Sequence, residues 1–308
     1  MWPSFRFLKS FLPHLVILLL ALRAFATEPV TTANGLLLDA TVVQKNIFAV
    51  GERGRILRSA DSGQTWTTLP SPTRVTLTGI SFADDQHGWI VGHDGTILHT
   101  ADGGSTWTQQ LNNPKLSFLD VLALDAKRVW ASGSFGTFYS TTNGGTTWTQ
   151  QKVLAEDLHL NALAASGPDD VFLAGERGTL LRASRNEPVF TSTPTDYDGS
   201  FFGTLTLDQA VLAFGLRGHV FRSEDHGTSW QPVPLATPSL ILAAVKLKSG
   251  TIVLAGQARV FYVSKDHGRT FSKWEPNFTT AIAALLEAPD GTLLAFGEAG
   301  ATRLPKPE

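Results

Sequence analysis

The sequence predicts an all-β fold, a seven-bladed β-propeller with four-stranded antiparallel blades, and three observations carry that expectation. Seven glycines recur at Gly51, Gly92, Gly133, Gly175, Gly215, Gly256 and Gly297, spaced 40–42 residues apart. An aromatic side chain follows each of the first six by fifteen residues, at Trp66, Trp107, Trp148, Phe190, Trp230 and Phe271. No unit shows the 3.6-residue apolar stripe of a helix. Each reads as four short strands separated by glycine-rich turns, at the period of a propeller blade.

Taken in order, the chain opens on a targeting segment. Arg6 and Lys9 precede the apolar run Leu15 to Leu22, and Ala24-Phe25-Ala26 supplies small residues for cleavage after Ala26. Residues 1–26 therefore read as a secretory signal peptide, and 27–308 as a single propeller. The run is too short to cross a bilayer core of about 30 Å comfortably, so the mature chain is expected without stable membrane insertion. Segment 28–34 (EPVTTAN) precedes the first strand. The second unit shows the blade plan most clearly: LTGISFAD (77–84), GWIVG (88–92), TILHT (96–100) and TWTQQ (106–110). The seventh unit stops after its third strand, at 301–304. The N-terminal segment is therefore expected to supply the outer strand of blade seven, close the ring and remove an edge that invites aggregation.

Between the third and fourth strands stand SADSGQTW (59–66), TADGGSTW (100–107), TTNGGTTW (141–148), SEDHGTSW (223–230) and SKDHGRTF (264–271). Asp or Asn accepts hydrogen bonds from turn amides, and Gly takes positive φ. Asp61, Asp102, Asn143, Asp225 and Asp266 are thus turn residues, and Trp66, Trp107, Trp148, Trp230 and Phe271 are expected to insert between blades. The pattern is that of the Asp-box, or bacterial neuraminidase repeat. The fourth unit (ASRNEPVF) keeps only Phe190.

Composition narrows the function. The chain has 308 residues, 25 Lys+Arg against 27 Asp+Glu, and no Cys. Residues 1–26 hold three cations, Arg6, Lys9 and Arg23, and no acid, so the mature net charge moves from −2 to −5. That balance argues against nucleic-acid binding. The lack of Cys excludes a disulfide framework, a thiol nucleophile and a thiolate metal site, and suits a periplasm. The histidines are scattered, without a metal-ligand pair, so no metal or cofactor is expected. The three tyrosines stand beside no obvious Glu, as a sialidase would require. The pairs Asp84-Asp85 and Asp169-Asp170 read as polar turn residues.

The full repeat, from Trp89 to Trp107 and again from Trp130 to Trp148, resembles the photosystem II stability and assembly factor family, in weaker form over about 40–304. The resemblance implies a seven-bladed propeller, exported and without cofactor, that binds a membrane-protein subunit through arginines on one face. For a non-photosynthetic bacterial member it implies an assembly factor for the extracytoplasmic part of an inner-membrane complex, or an accessory of an RND-type transporter. The candidate partner-binding residues are Arg53, Arg177 and Arg217 in one slot of the second-to-third-strand turns, with His93 beside that slot. Arg58, Arg182 and Arg222, seven residues after the repeat glycine, complete the set; His99 shares that slot. Arginine suits carboxylate recognition because its planar fork bonds bidentately. The expectation is a monomeric, non-catalytic periplasmic scaffold. The alternative is a glycan-binding or glycan-hydrolysing, sialidase-like propeller.

Overall fold

The computed structural model of the chain describes Met1 and residues 29–30, 33–257 and 259–307. The segment read as a signal peptide lies outside the described residues, Met1 apart. Seven antiparallel sheets form seven blades; in six of them the innermost strand is followed in space order by the next three strands of its repeat, and in the seventh by the next two among the described residues. Lettering strands A to D outward, blade 1 is Leu37–Val43, Asn46–Gly51, Ile56–Ser59 and Trp66–Leu69. Blade 2 is Leu77–Phe82, Gly88–Gly92, Thr96–Thr100 and Thr108–Leu111. No helix among the described residues is long and apolar enough to cross a membrane.

The core lies in the seams. Seven apolar clusters each join two neighbouring blades. Between blades 1 and 2, Phe48 and Val50 meet Ile80, Ile90 and Trp107. A single blade is too thin to bury its two faces; stacked face to face in a ring, each covers the next.

The repeat glycines have a steric cause. A Cβ on Gly51, Gly92, Gly133, Gly175, Gly215, Gly256 or Gly297 would stand 1.8–2.5 Å from the carbonyl oxygen just before strand A of the same blade. That carbonyl accepts the amide of the residue after the glycine in every blade, from Glu52 N–H to Leu36 O (3.0 Å) through Glu298 N–H to Ala281 O (3.3 Å). Each A–B pair also slips register at the second residue of strand A, as between Leu37 and Asp39. Such a bulge bends the strand into the crowded centre.

The Asp-boxes form as read. The carboxylate of Asp102 accepts the Thr106 amide (2.9 Å) and the hydroxyls of Thr100 (2.7 Å) and Thr106 (2.6 Å), while Thr100 Oγ1 accepts the Gly104 amide (2.9 Å). Asp61, Asp225 and Asp266 repeat this set, and Asn143 repeats it with its amide donating to Thr147. Gly104 has φ +80°, and a Cβ there would strike the Phe48 ring of blade 1 at 2.6 Å. The box aromatics enter the seams: Trp66 meets Phe296 of blade 7 edge-on, and Trp230 meets Phe172 of blade 4. Trp66, Trp107 and Trp230 are buried, whereas Trp148 is half-buried. Its indole N–H donates to Gln110 Oε1 (3.3 Å), which also accepts from Trp89.

One expectation is overturned. The N-terminal segment does not supply the outer strand of blade seven. Pro29–Val30 instead pairs with Trp66 and Thr67 on the outside of blade 1, making that sheet five-stranded, and among the described residues blade 7 has three strands: Ile282–Glu287, Leu293–Gly297 and Gly300–Leu304. The ring closes through faces. Leu37, Ile47 and Trp66 pack on Leu294 and Phe296, Arg303 donates to the Ser62 carbonyl, and the Ala301 amide donates to Ala33 O (3.2 Å).

Candidate functional site

The B–C turns bond to the D–A connections, as Gly178 N–H does to Gly199 O (2.7 Å), and share one end of the molecule. The A–B turns bond to the C–D turns, as Gly103 N–H does to Gln86 O (2.9 Å), and share the other. The two ends are chemically distinct surfaces.

At the B–C end, Arg53, Arg177 and Arg217 occupy one turn position with φ of 56°, 53° and 57°. Gly54, Gly178 and Gly218 follow at φ of 69–71°. Two successive positive φ values give a type I′-like hairpin turn, whose first position favours Asn, Asp or Gly. Asp94 fills it in blade 2 and Phe135 in blade 3. Arg53, Arg177 and Arg217 are exposed. Among the described residues Arg177 pairs with Glu156 (2.9 Å), while Arg53 and Arg217 have no ion-pair partner. Phe135 is 74% exposed and stands edge-on to His159. Tyr197 stacks on His219 beside Arg217; burial pushes its phenol up, and the Arg217 charge works against that. His93 is exposed at the same end, its amide bonded to Thr76 O (3.0 Å). Sequence reasoning missed two members of this face. Arg259 takes a positive φ (61°) in the slot that other blades give to Gly, and the exposed Phe135 carries an apolar side chain in the arginine slot. Both were legible from the repeat alignment.

The second arginine set does not join the first. Strand C runs from the B–C turn toward the Asp-box, so a residue late in it lies near the opposite end. Arg182 pairs with Asp170 (2.9 Å) at the start of strand B of blade 4. Arg222 is 8% exposed, paired with Glu224 and donating to His267 O (3.0 Å) in the Asp-box of blade 6. Arg58 is half-buried in the same register. His99 lies against Trp89, and burial with the neighbouring His87 holds its imidazole below the usual range. Arg182 and Arg222 thus tie strands and blades together. They are not a continuation of the turn arginines.

The Asp-box end holds a cleft of about 680 Å3 between the A–B turns of blades 4 and 5, lined by Asp169, Asp170, Asp208, Glu224, His226 and Arg269. Glu224 is held low by Arg222, with Arg269 adding to it (2.9 Å), and Asp208 is held low by Lys246. A glycosidase acid needs the reverse, a carboxyl raised toward neutrality. The carboxyls that are raised, Asp39 to about 6 and Asp120 to about 7, stand elsewhere, on the innermost strands. Each accepts an amide of the next blade: Ile80 N–H to Asp39 and Leu163 N–H to Asp120 (2.8 and 2.7 Å). Among the described residues no three His, Cys, Asp or Glu side chains are grouped to hold a metal ion.

Fold and turns together define a seven-bladed propeller of the Asp-box class. Within that class the chain is similar to YCF48, by a family match over one blade and by its fold. Residues 66–114, spanning the second blade, match the family described as photosynthesis system II assembly factor YCF48. Among solved structures, YCF48 bound to D1 peptide is 22% identical with a TM-score of 0.71, over 92% of this chain and 96% of that one. YCF48 from Cyanidioschyzon merolae is 17% identical, TM-score 0.70, over 89% and 97%. A streptogramin B lyase shares the fold at 11% identity, TM-score 0.77, over 90% and 95%. No curated protein matches the chain by sequence.

Proposed function

We propose that this chain is a non-catalytic protein-binding scaffold, exported by its N-terminal segment and acting in the periplasm on the extracytoplasmic part of an inner-membrane protein. The observation that carries the reading is the placement of Arg53, Arg177 and Arg217. Each sits at a left-handed turn position where Gly or Asn would be easier, at a cost on the order of 1 kcal/mol. No core contact compensates, because all three are exposed. Arg53 and Arg217 present guanidinium forks with no ion-pair partner among the described residues, and Arg177 one shared with the exposed Glu156, so the set suits a partner's carboxylates. Exposed Phe135 and Arg259 enlarge the same surface. YCF48 has been solved bound to a D1 peptide, and by analogy the ligand here is a peptide segment of a membrane protein.

The test is capture of partners from solubilised membranes after crosslinking in cells. Arg53→Glu, Arg177→Glu and Arg217→Glu combined should abolish capture, with Tm unchanged within about 2 °C. The loss should fall mainly on association and deepen at low salt. The control is Lys127→Glu, an exposed cation in the A–B turn of blade 3 at the other end. If the control impairs capture equally, or the triple variant captures normally, the face is not the binding surface.

A further inference from the structure

The turn slot that holds arginine in blades 1, 4 and 5 holds Phe135 in blade 3. Its φ is +55°, a left-handed value that bulky side chains rarely adopt. Burial does not offset that strain, because the side chain is 74% exposed. Among the described residues no other Phe, Tyr or Trp is exposed. Asparagine or glycine would fold more easily here, so packing within the chain does not account for the ring.

The ring is nevertheless oriented. Gly136 N–H donates to Leu158 O (2.7 Å), which seats the turn on the connection between blades 3 and 4. His159, in that connection, meets the Phe135 ring edge-on with centroids 4.9 Å apart. The His159 amide donates to Glu176 (2.8 Å), whose chain neighbour is Arg177, the slot arginine of blade 4. An aromatic surface placed in advance loses little freedom when a ligand covers it.

The charges around the ring are sorted. Beside Phe135 lie two exposed acids, Asp157, whose Cα would be 3.5 Å from a Cβ on Gly136, and Glu156. Arg177 and Arg217 follow in the same slot of the next two blades, Arg177 sharing Glu156 (2.9 Å). An acidic residue facing Phe135 would meet like charge, whereas one displaced toward blades 4 and 5 would meet arginine.

We propose that Phe135 is the apolar anchor of the partner-binding end: it takes a bulky apolar side chain from a membrane-protein segment whose acidic residues lie to one side and meet Arg177 and Arg217. Exposed aromatics of this kind carry a disproportionate share of binding energy once a partner covers them. The inference rests on the reading of this end as the partner surface, and adds the order of residues that the partner must carry.

The test places the photoreactive residue p-benzoylphenylalanine at position 135 in cells, with the same residue at Val189, on the outer strand of blade 4, as the control; Val189 is 69% exposed. Attachment points are read by mass spectrometry. Position 135 should attach to an apolar residue of a protein segment that carries acids on one side, and position 189 should not. The attachment should vanish when Arg53→Glu, Arg177→Glu and Arg217→Glu are added. Phe135→Asn should lower capture at least tenfold while melting at or above wild type, since Asn accepts a left-handed φ; Phe135→Leu should keep at least half of the capture. Normal capture by Phe135→Asn overturns the proposal, and if the arginine variant still loses capture, the reading of the face survives without it. Normal capture by the arginine variant overturns both. A Tm several degrees lower for Phe135→Asn makes Phe135 a structural residue and overturns the anchor. Attachment from position 135 to phospholipid, to a segment without acids, or to the same sites as from position 189 overturns it as well.

Discussion

Aspartates at two kinds of site respond to pH in opposite senses. Asp225 is held near 2 by the hydroxyl and amide of Ser229 and the hydroxyl of Ser223; Asp266 reaches about 2 because bonds from Thr270 and Ser264 outweigh its desolvation. Their folded values lie below the ordinary 3.8, so they stabilise fully above that pH and lose the effect as pH falls toward 2. Asp39 and Asp120 are raised by burial, and Asp120 further by the charge of Asp39. Folded values near 6 and 7 mean that their contribution is fully present below pH 3.8 and is lost as pH rises through 6 to 7. The wild-type Tm should therefore decline by several degrees between pH 5 and pH 8. Asp120→Asn should flatten that decline, whatever it does to absolute stability. A melting series in matched-salt buffers measures both slopes; parallel curves would contradict the coupling of the inner carboxyls. Asp102→Ala should cost about 1–2 kcal/mol, since water reaches part of its exposed turn and replaces some of the lost bonds.

At the scale of the element, the box aromatics are not equivalent. Trp107 is 7% exposed and packs edge-on to Phe82 in the seam with blade 1. Trp107→Ala should cost about 3–5 kcal/mol by opening a cavity. Trp148 is half-buried and held partly by its bond to Gln110, so Trp148→Ala should cost about half as much. Urea titration of both variants gives the comparison, and equal losses would refute the burial ranking. The repeat alignment put both tryptophans in one class because it counts spacing alone. Gln110, which accepts from Trp89 and Trp148 and donates to Gly144 O (2.8 Å), shares its repeat slot with Gln151 of blade 3, so spacing alone does not mark it as the residue that bridges two blades.

At the scale of the whole molecule, closure is a matter of faces. If the seam of Trp66, Leu294 and Phe296 holds the ring, Trp66→Ala should lower Tm well beyond deletion of residues 27–32. The deletion removes the two-residue pairing of Pro29–Val30 and leaves the seam whole. Differential scanning calorimetry of the two proteins decides. A larger loss from the deletion would restore the N-terminal strand as the closing element. The same scale separates the arginines. Arg53 and Arg58 are five residues apart, yet a strand of four residues carries them toward opposite ends.

The sequence by itself determined the blade number, the strand plan and the turn chemistry. Each is a local consequence of a repeated short pattern: glycine where a Cβ would meet a carbonyl, Asp where turn amides need an acceptor, aromatics at a fixed spacing. The turn arginines were legible for the same reason, since one repeat slot maps to one place on every blade. Only the tertiary structure decided where the N-terminal pair Pro29–Val30 docks, which arginines share a surface and which aspartates lose their ordinary acidity. Those outcomes depend on contacts between blades some 40 or more residues apart, such as Asp39 with Ile80 and Arg222 with His267. Burial and charge there are set by the neighbouring blade, and the repeat pattern within one blade carries no record of its neighbour.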